Sequence, residues 1–132
     1  LMIDGHFVYG QRSDGLIIST PTGSTAYALS GGGPIMHPKL DAMVLVPLNP
    51  HTLTSRPLVV AGDSEIKIHI TTEKVRPLVS CDGTEGIRLQ VDDVIAIRKK
   101  PHRLHLIHPP GHDFYQACRS KLGWSSRPGD NS

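Results

Sequence analysis

The chain has 132 residues and a formal charge of +2 with histidine neutral. One domain of that size withdraws roughly two-thirds of its unfolded surface from water, enough for a real core. The charge is mild and the 14 Lys and Arg are spread out, so no nucleic-acid partner is expected. No apolar run approaches the ~18 residues of a membrane helix, and no stretch reads as a secretory leader.

Short apolar runs, broken at close intervals by 11 prolines and 13 glycines, predict a mainly β domain. Leu1–Ile3 and Phe7–Tyr9 flank Asp4-Gly5, a hairpin signal because glycine accepts the positive φ of a primed turn. Leu16–Ser19 reads as a buried strand. Ser24 or Thr25 is placed to cap a short helix reaching about Ser30, ended by Gly31-Gly32-Gly33-Pro34. Ala42–Val46 is a second buried strand, closed by Pro47, and Pro57–Val60 a short third. Glu65–Ile70 alternates, with Ile66, Ile68 and Ile70 on one side and Lys67 and His69 on the other. Leu78–Cys81 leads into an Asp82-Gly83 turn; Ile87–Val91, Val94–Arg98 and Arg103–His108 complete the strands. Asp113 caps a last helix, Phe114–Leu122, stopped by Gly123.

The elements amount to a two-layer β-sandwich with two short helices over residues 1–124, followed by a disordered polar tail over 125–132. Open sheet edges favour pairing with further copies of the chain. Cys81 and Cys118 build no disulfide framework, so reduced thiols in a cytoplasmic protein are expected. The chain begins at Leu1 inside an alternating pattern and is expected to be a piece of a longer protein.

The densest polar chemistry lies in Ser19-Thr20-Pro21-Thr22-Gly23-Ser24-Thr25-Ala26-Tyr27. It lacks the lysine of a phosphate-binding P-loop and the second glycine of a nucleophile elbow. Two readings stay open: a helix N-terminus whose amides and hydroxyls receive a polar ligand while Tyr27 stacks on a flat ring, or a capped helix whose Tyr27 packs in the core. Asp14 either accepts hydrogen bonds from an amide or ribose, or bonds its own turn; Arg12 either joins it or is a solvated cation. Gly31–Gly33 reads as turn geometry rather than a phosphate loop. His102, His105, His108 and His112 lie in a proline-fenced segment where a strand would point His105 away from His102 and His108, which disfavours a metal site. His51 is a loop residue, and Asp82 a turn carboxylate. No acid pair and no Ser/His/Asp set assembles, so no catalytic residue and no metal ligand is assigned.

Ser13-Asp14-Gly15 through Tyr27, Gly33-Pro34-Ile35 with His37-Pro38, Pro50-His51-Thr52-Leu53 with Arg56-Pro57, Ser80-Cys81-Asp82-Gly83 and Lys121-Leu122-Gly123-Trp124 occur in order along the chain. Together they resemble the C-terminal domain of bacterial NAD kinases, and Gly23-Ser24-Thr25-Ala26-Tyr27 is the most specific block. The resemblance implies transfer of the terminal phosphoryl group of ATP, or of polyphosphate, to the 2′-hydroxyl of the adenosine ribose of NAD, giving NADP with the help of a divalent metal such as Mg2+. It implies a β-sandwich following an α/β domain, and assembly as homodimers or homotetramers. It places Thr25, Ala26 and Tyr27 on the adenine half of NAD with Thr22 and Ser30 nearby, Asp14 at the nicotinamide end beside Arg12, and Thr84 along the site where members often carry Gln or His. The family's Gly-Gly-Asp-Gly motif, which supplies the general base, is absent, as is its Asn-Glu or Asn-Asp ribose-binding pair; both are expected upstream of Leu1. The 132-residue piece alone is therefore expected to be inactive and to bind NAD weakly. Two other classes compete. One is a lipid kinase of the diacylglycerol or sphingosine type, which would need an acyl-chain cleft. The other is a non-catalytic β-sandwich assembly module.

Overall fold

The structure, a computed structural model, describes residues 1–72 and 76–125. They contain nine strands: β1 (Met2–Ile3), β2 (His6–Phe7), β3 (Gly15–Ser19), β4 (Ala42–Leu48), β5 (Leu58–Ala61), β6 (Ile66–His69), β7 (Leu78–Val79), β8 (Ile87–Arg88) and β9 (Val94–Ile97). A 3-10 turn at Thr22–Thr25 and helix α1 (Tyr27–Ser30) follow β3, and helix α2 (Phe114–Leu122) comes last. The chain divides into two compact units, Leu1–Lys100 and Pro101–Ser132.

In the first unit every strand pairing is antiparallel. One sheet has the order β2-β1-β6-β9, a second β3-β4-β5, and a third is the β7-β8 ribbon. The first two sheets pack face to face, as a two-layer sandwich requires. Ile3 from β1, Met43 and Leu45 from β4 and Ile66 from β6 form the core between them, ringed by Leu16, Ile18, Leu58, Val60, Ile68 and Ile97. Strand β4 is buried along most of its length because its other face is covered too: Val44 and Val46 pack with Ala28 and Met36. The α1 corner thus lies on the outer face of the β3-β4-β5 sheet.

Turn chemistry sets the hairpins. Asp4 and Gly5, the two residues between the paired Ile3 and His6, both take positive φ (51° and 79°), the pattern of a primed two-residue turn; Asp82 and Gly83 (49° and 75°) repeat it inside the longer loop from Val79 to Ile87. Pro47 does not close β4, which runs on to Leu48 with Pro47 opposite Leu16. The Leu48 carbonyl accepts from Asp14 N–H on the β3 side. By alternation the Pro47 nitrogen faces the other side, where β5 has already ended at the Leu45–Leu58 pair, so no ladder bond is lost.

In the second unit, Asp113 Oδ1 accepts from Tyr115 N–H at 2.9 Å and Gly123 takes φ +68°, so α2 begins and ends where its caps dictate. Cys118 is buried and Phe114 and Leu122 half-buried along one side of the helix. The strand expected at Arg103–His108 does not form: these residues are irregular and exposed, Leu104 and Ile107 at 86% and 97%. A period-two pattern makes a strand only where a ladder partner exists, and none is present for it among the described residues. Of the expected polar tail, only Ser125 is a described residue, and it is exposed and irregular. No helix among the described residues is long and apolar enough to cross a membrane.

Candidate functional site

The helix expected from Ser24 or Thr25 is broken in two, and neither residue caps it. Pro21 precedes the 3-10 turn and Ala26 precedes α1, each without a side-chain cap bond. Ser24 is fully buried, and its hydroxyl is otherwise engaged: it donates to the Pro21 carbonyl at 2.6 Å and accepts from Met36 N–H at 3.0 Å. These bonds staple the 3-10 turn to the segment returning from α1. Ala26, at φ −100° and ψ −128°, redirects the chain between the two short helices. With α1 only four residues long, the corner is a side-chain and loop surface rather than a helix-dipole site.

The corner presents its ring to solvent. Tyr27 is 65% exposed, Thr22, Ala26 and Ser30 are exposed, and Thr25 is half-buried. That excludes the reading in which Tyr27 packs in the core. Part of the hydroxyl-rich run serves the loop itself: Ser19 Oγ donates to the Thr20 carbonyl at 2.8 Å, and Thr20 Oγ1 accepts from Gly23 N–H at 3.4 Å.

Asp14 stands at the opposite end of β3, on the order of 17 Å along the strand from Ser19 at the usual rise per residue. The chain cancels that separation by folding back. After α1, Gly31 meets Leu48, the partner of Gly15: a methyl group added at Gly31 would lie 3.0 Å from Leu48 Cδ2, and one added at Gly15 3.3 Å from Leu48 Cδ1. Ser30-Gly31 and Asp14-Gly15 are thereby the two sides of one leucine. The glycine run is explained by this close approach and by Gly32, whose φ is +90°.

Arg12 and Asp14 are both exposed. The Asp14 carboxylate accepts from Asn49 Nδ2 at 3.0 Å, and His51 N–H donates to the Arg12 carbonyl at 3.2 Å. Asn49 is the residue sequence reasoning missed. It lies 35 positions from Asp14, and its one local signal is a polar residue directly after a strand and before proline. Thr84 sits in the β7-β8 turn, where its hydroxyl donates to the Cys81 carbonyl at 2.7 Å; no hydrogen bond among the described residues joins it to the corner. Cys81 in the same turn is an exposed free thiol. Among the described residues no group of three or more His, Cys, Asp or Glu is arranged to hold a metal ion.

Fold and corner together define a β-sandwich domain with a polar, aromatic-tipped loop folded over one outer face. The chain belongs to the ATP-NAD kinase C-terminal domain family, whose model matches residues 1–109. It is 98% identical over its full length to 44% of an NAD kinase of Alcanivorax borkumensis. Over 95% of its length it is 64% identical to 41% of the Acinetobacter baylyi NAD kinase. The chain therefore spans less than half the length of these curated relatives. Among solved structures, the yeast NADH kinase complexed with NADH matches 98% of this chain and 41% of its own, at TM-score 0.83 and 29% identity. An Archaeoglobus fulgidus NAD kinase in complex with ATP matches 76% of this chain and 38% of its own, at TM-score 0.66 and 35% identity.

Proposed function

We propose that this chain is the dinucleotide-binding half of an NAD kinase, which phosphorylates the 2′-hydroxyl of the adenosine ribose of NAD at the expense of ATP or polyphosphate. The observation that supports it most is the pairing of an exposed aromatic corner with a carboxylate across Leu48. A ligand touching both must carry two separate recognition groups, as a dinucleotide does. Tyr27 offers a face on which an adenine ring stacks. Thr22, Thr25, Ala26 and Ser30 line the same half, and Thr84 is assigned to the site from the family pattern alone. Asp14 accepts hydrogen bonds from the nicotinamide end, beside Arg12. The yeast relative is complexed with NADH and the archaeal one with ATP, a dinucleotide and a phosphoryl donor of the kind this reaction needs.

The chemical step needs a base within reach of the 2′-oxygen and positioned phosphates. We assign the first role to no described residue of this chain: Asp14 is placed at the nicotinamide end, away from the 2′-oxygen, and Asp82 lies in a turn. The base belongs to the Gly-Gly-Asp-Gly motif of the remainder of the enzyme. The enzyme works in the cytoplasm as a homodimer or homotetramer, its copies joined through open sheet edges. A lipid kinase is the weaker reading, since the relatives are NAD or NADH kinases.

Two measurements test this reading. In a coupled assay for NADP formation, the full-length enzyme turns over with ATP and NAD whereas the 132-residue chain alone gives no rate above background; ordinary turnover by the chain alone would overturn the division of labour. In the full-length enzyme, Asp14→Ala raises the KM for NAD at least tenfold, about 1.4 kcal/mol of lost binding. An unchanged KM removes Asp14 from the site.

A further inference from the structure

Asn49 is held where it stands by the backbone. It follows β4 directly, just beyond the last β3-β4 pair, Gly15 with Leu48. Its φ of +43° lies in the left-handed region, which Asn and Asp enter more readily than other residues with a side chain. On either side of it, Asp14 N–H donates to the Leu48 carbonyl at 2.9 Å and His51 N–H to the Arg12 carbonyl at 3.2 Å. Gln11 Nε2 donates to Ser55 Oγ at 2.6 Å, tying the same two segments together once more. Within this clamp, Asn49 Nδ2 reaches Asp14 Oδ2 at 3.0 Å.

We infer that Asn49 is a positioning residue for Asp14, and that the two side chains together form a receptor for a primary carboxamide. The inference rests on the proposed placement of NAD and names what reads its nicotinamide end. An ionised Asp is an acceptor only, whereas the Asn amide carries two N–H donors, one of which Asp14 consumes. That bond fixes the Asp14 carboxylate and leaves one acceptor oxygen beside one unused donor. A primary carboxamide presents the complementary set: an N–H to give to Asp14 and a carbonyl to receive from Asn49. A carboxylate in its place would bring negative charge against Asp14 and leave nothing to donate, so the pair rejects an acid-ended dinucleotide by repulsion as well as by lost bonds.

The test is made in the full-length enzyme, with NAD and its nicotinic-acid counterpart as alternative substrates. Asn49→Gly removes the amide but suits the left-handed backbone. Asn49→Asp keeps shape and conformation but replaces donors with a second carboxylate. Thermal unfolding of each variant checks folding, and Asp14→Ala is assayed alongside. Asn49→Gly should raise the KM for NAD at least threefold with kcat within about twofold, and should shrink the preference for amide over acid at least threefold. Asn49→Asp should raise the KM further, because it sets a second carboxylate against Asp14 and leaves no donor for the carboxamide oxygen. If Asp14→Ala raises the KM while both Asn49 variants keep the wild-type KM and preference, the receptor is overturned and the Asp14 placement survives. If the Asn49 variants raise the KM with no change in the preference for amide over acid, Asn49 merely supports the loop and the inference fails. If Asp14→Ala itself leaves the KM unchanged, the placement of NAD falls and the receptor with it.

Discussion

Leu45→Ala is expected to destabilise the sandwich by about 2–5 kcal/mol. Leu45 is fully buried at the centre of β4, opposite Ile18 on β3 and Leu58 on β5. It points into the layer shared with Ile3 and Ile66 of the facing sheet. Both faces of β4 are covered, so the strand cannot sink into the space that the lost methyl groups leave. A cavity that the surroundings cannot close carries its full cost. Val59→Ala, on the exposed side of edge strand β5, removes a similar group and should cost less than about 1 kcal/mol. Urea titrations of the two variants should separate clearly in midpoint. Equal midpoints would mean that β4 is not the keystone of this core.

What is legible in the sequence follows the range of the interaction. The caps of α2 and the Asp4-Gly5 and Asp82-Gly83 turns rest on chemistry within four residues of themselves, and they stand where local reasoning puts them. Strand β6 shows its alternation, with Ile66 buried and Lys67 and His69 exposed. Pro47 escapes local reasoning because its tolerance depends on where a different strand, β5, ends. Arg103–His108 escapes it because alternation says nothing about a partner. The corner behaves the same way. The Pro21–Tyr27 block announces polar chemistry, but whether Tyr27 faces water depends on Ser24 being drawn inward by Met36, 12 positions on. Asp14 is visible from its turn; Asn49 becomes visible only when β3 and β4 are laid side by side.

The same logic picks out the glycine that couples the corner to the sandwich. Gly33→Ala would place a methyl group 2.7 Å from Val46 Cγ2 and 2.8 Å from the Ala28 carbonyl oxygen. The Val46 side chain is fully buried, and that carbonyl accepts from Gly33 N–H itself at 2.9 Å. Neither neighbour has room to yield, so α1 must lift away from β4 or the bond must break. Overpacking of this kind costs about 1–3 kcal/mol. The displacement would fall on Ala28 and so on Tyr27 beside it, while the core around Leu45 and Ile66 is untouched. Gly33→Ala in the full-length enzyme is therefore expected to raise the KM for NAD severalfold together with a drop in thermal stability. Gly10→Ala, where an added methyl group meets nothing within 4 Å, should change neither. If Gly33→Ala lowers stability but leaves NAD binding intact, Tyr27 owes its position to something other than the packing of α1 on β4, and the adenine half of the proposed site must be sought elsewhere on the chain.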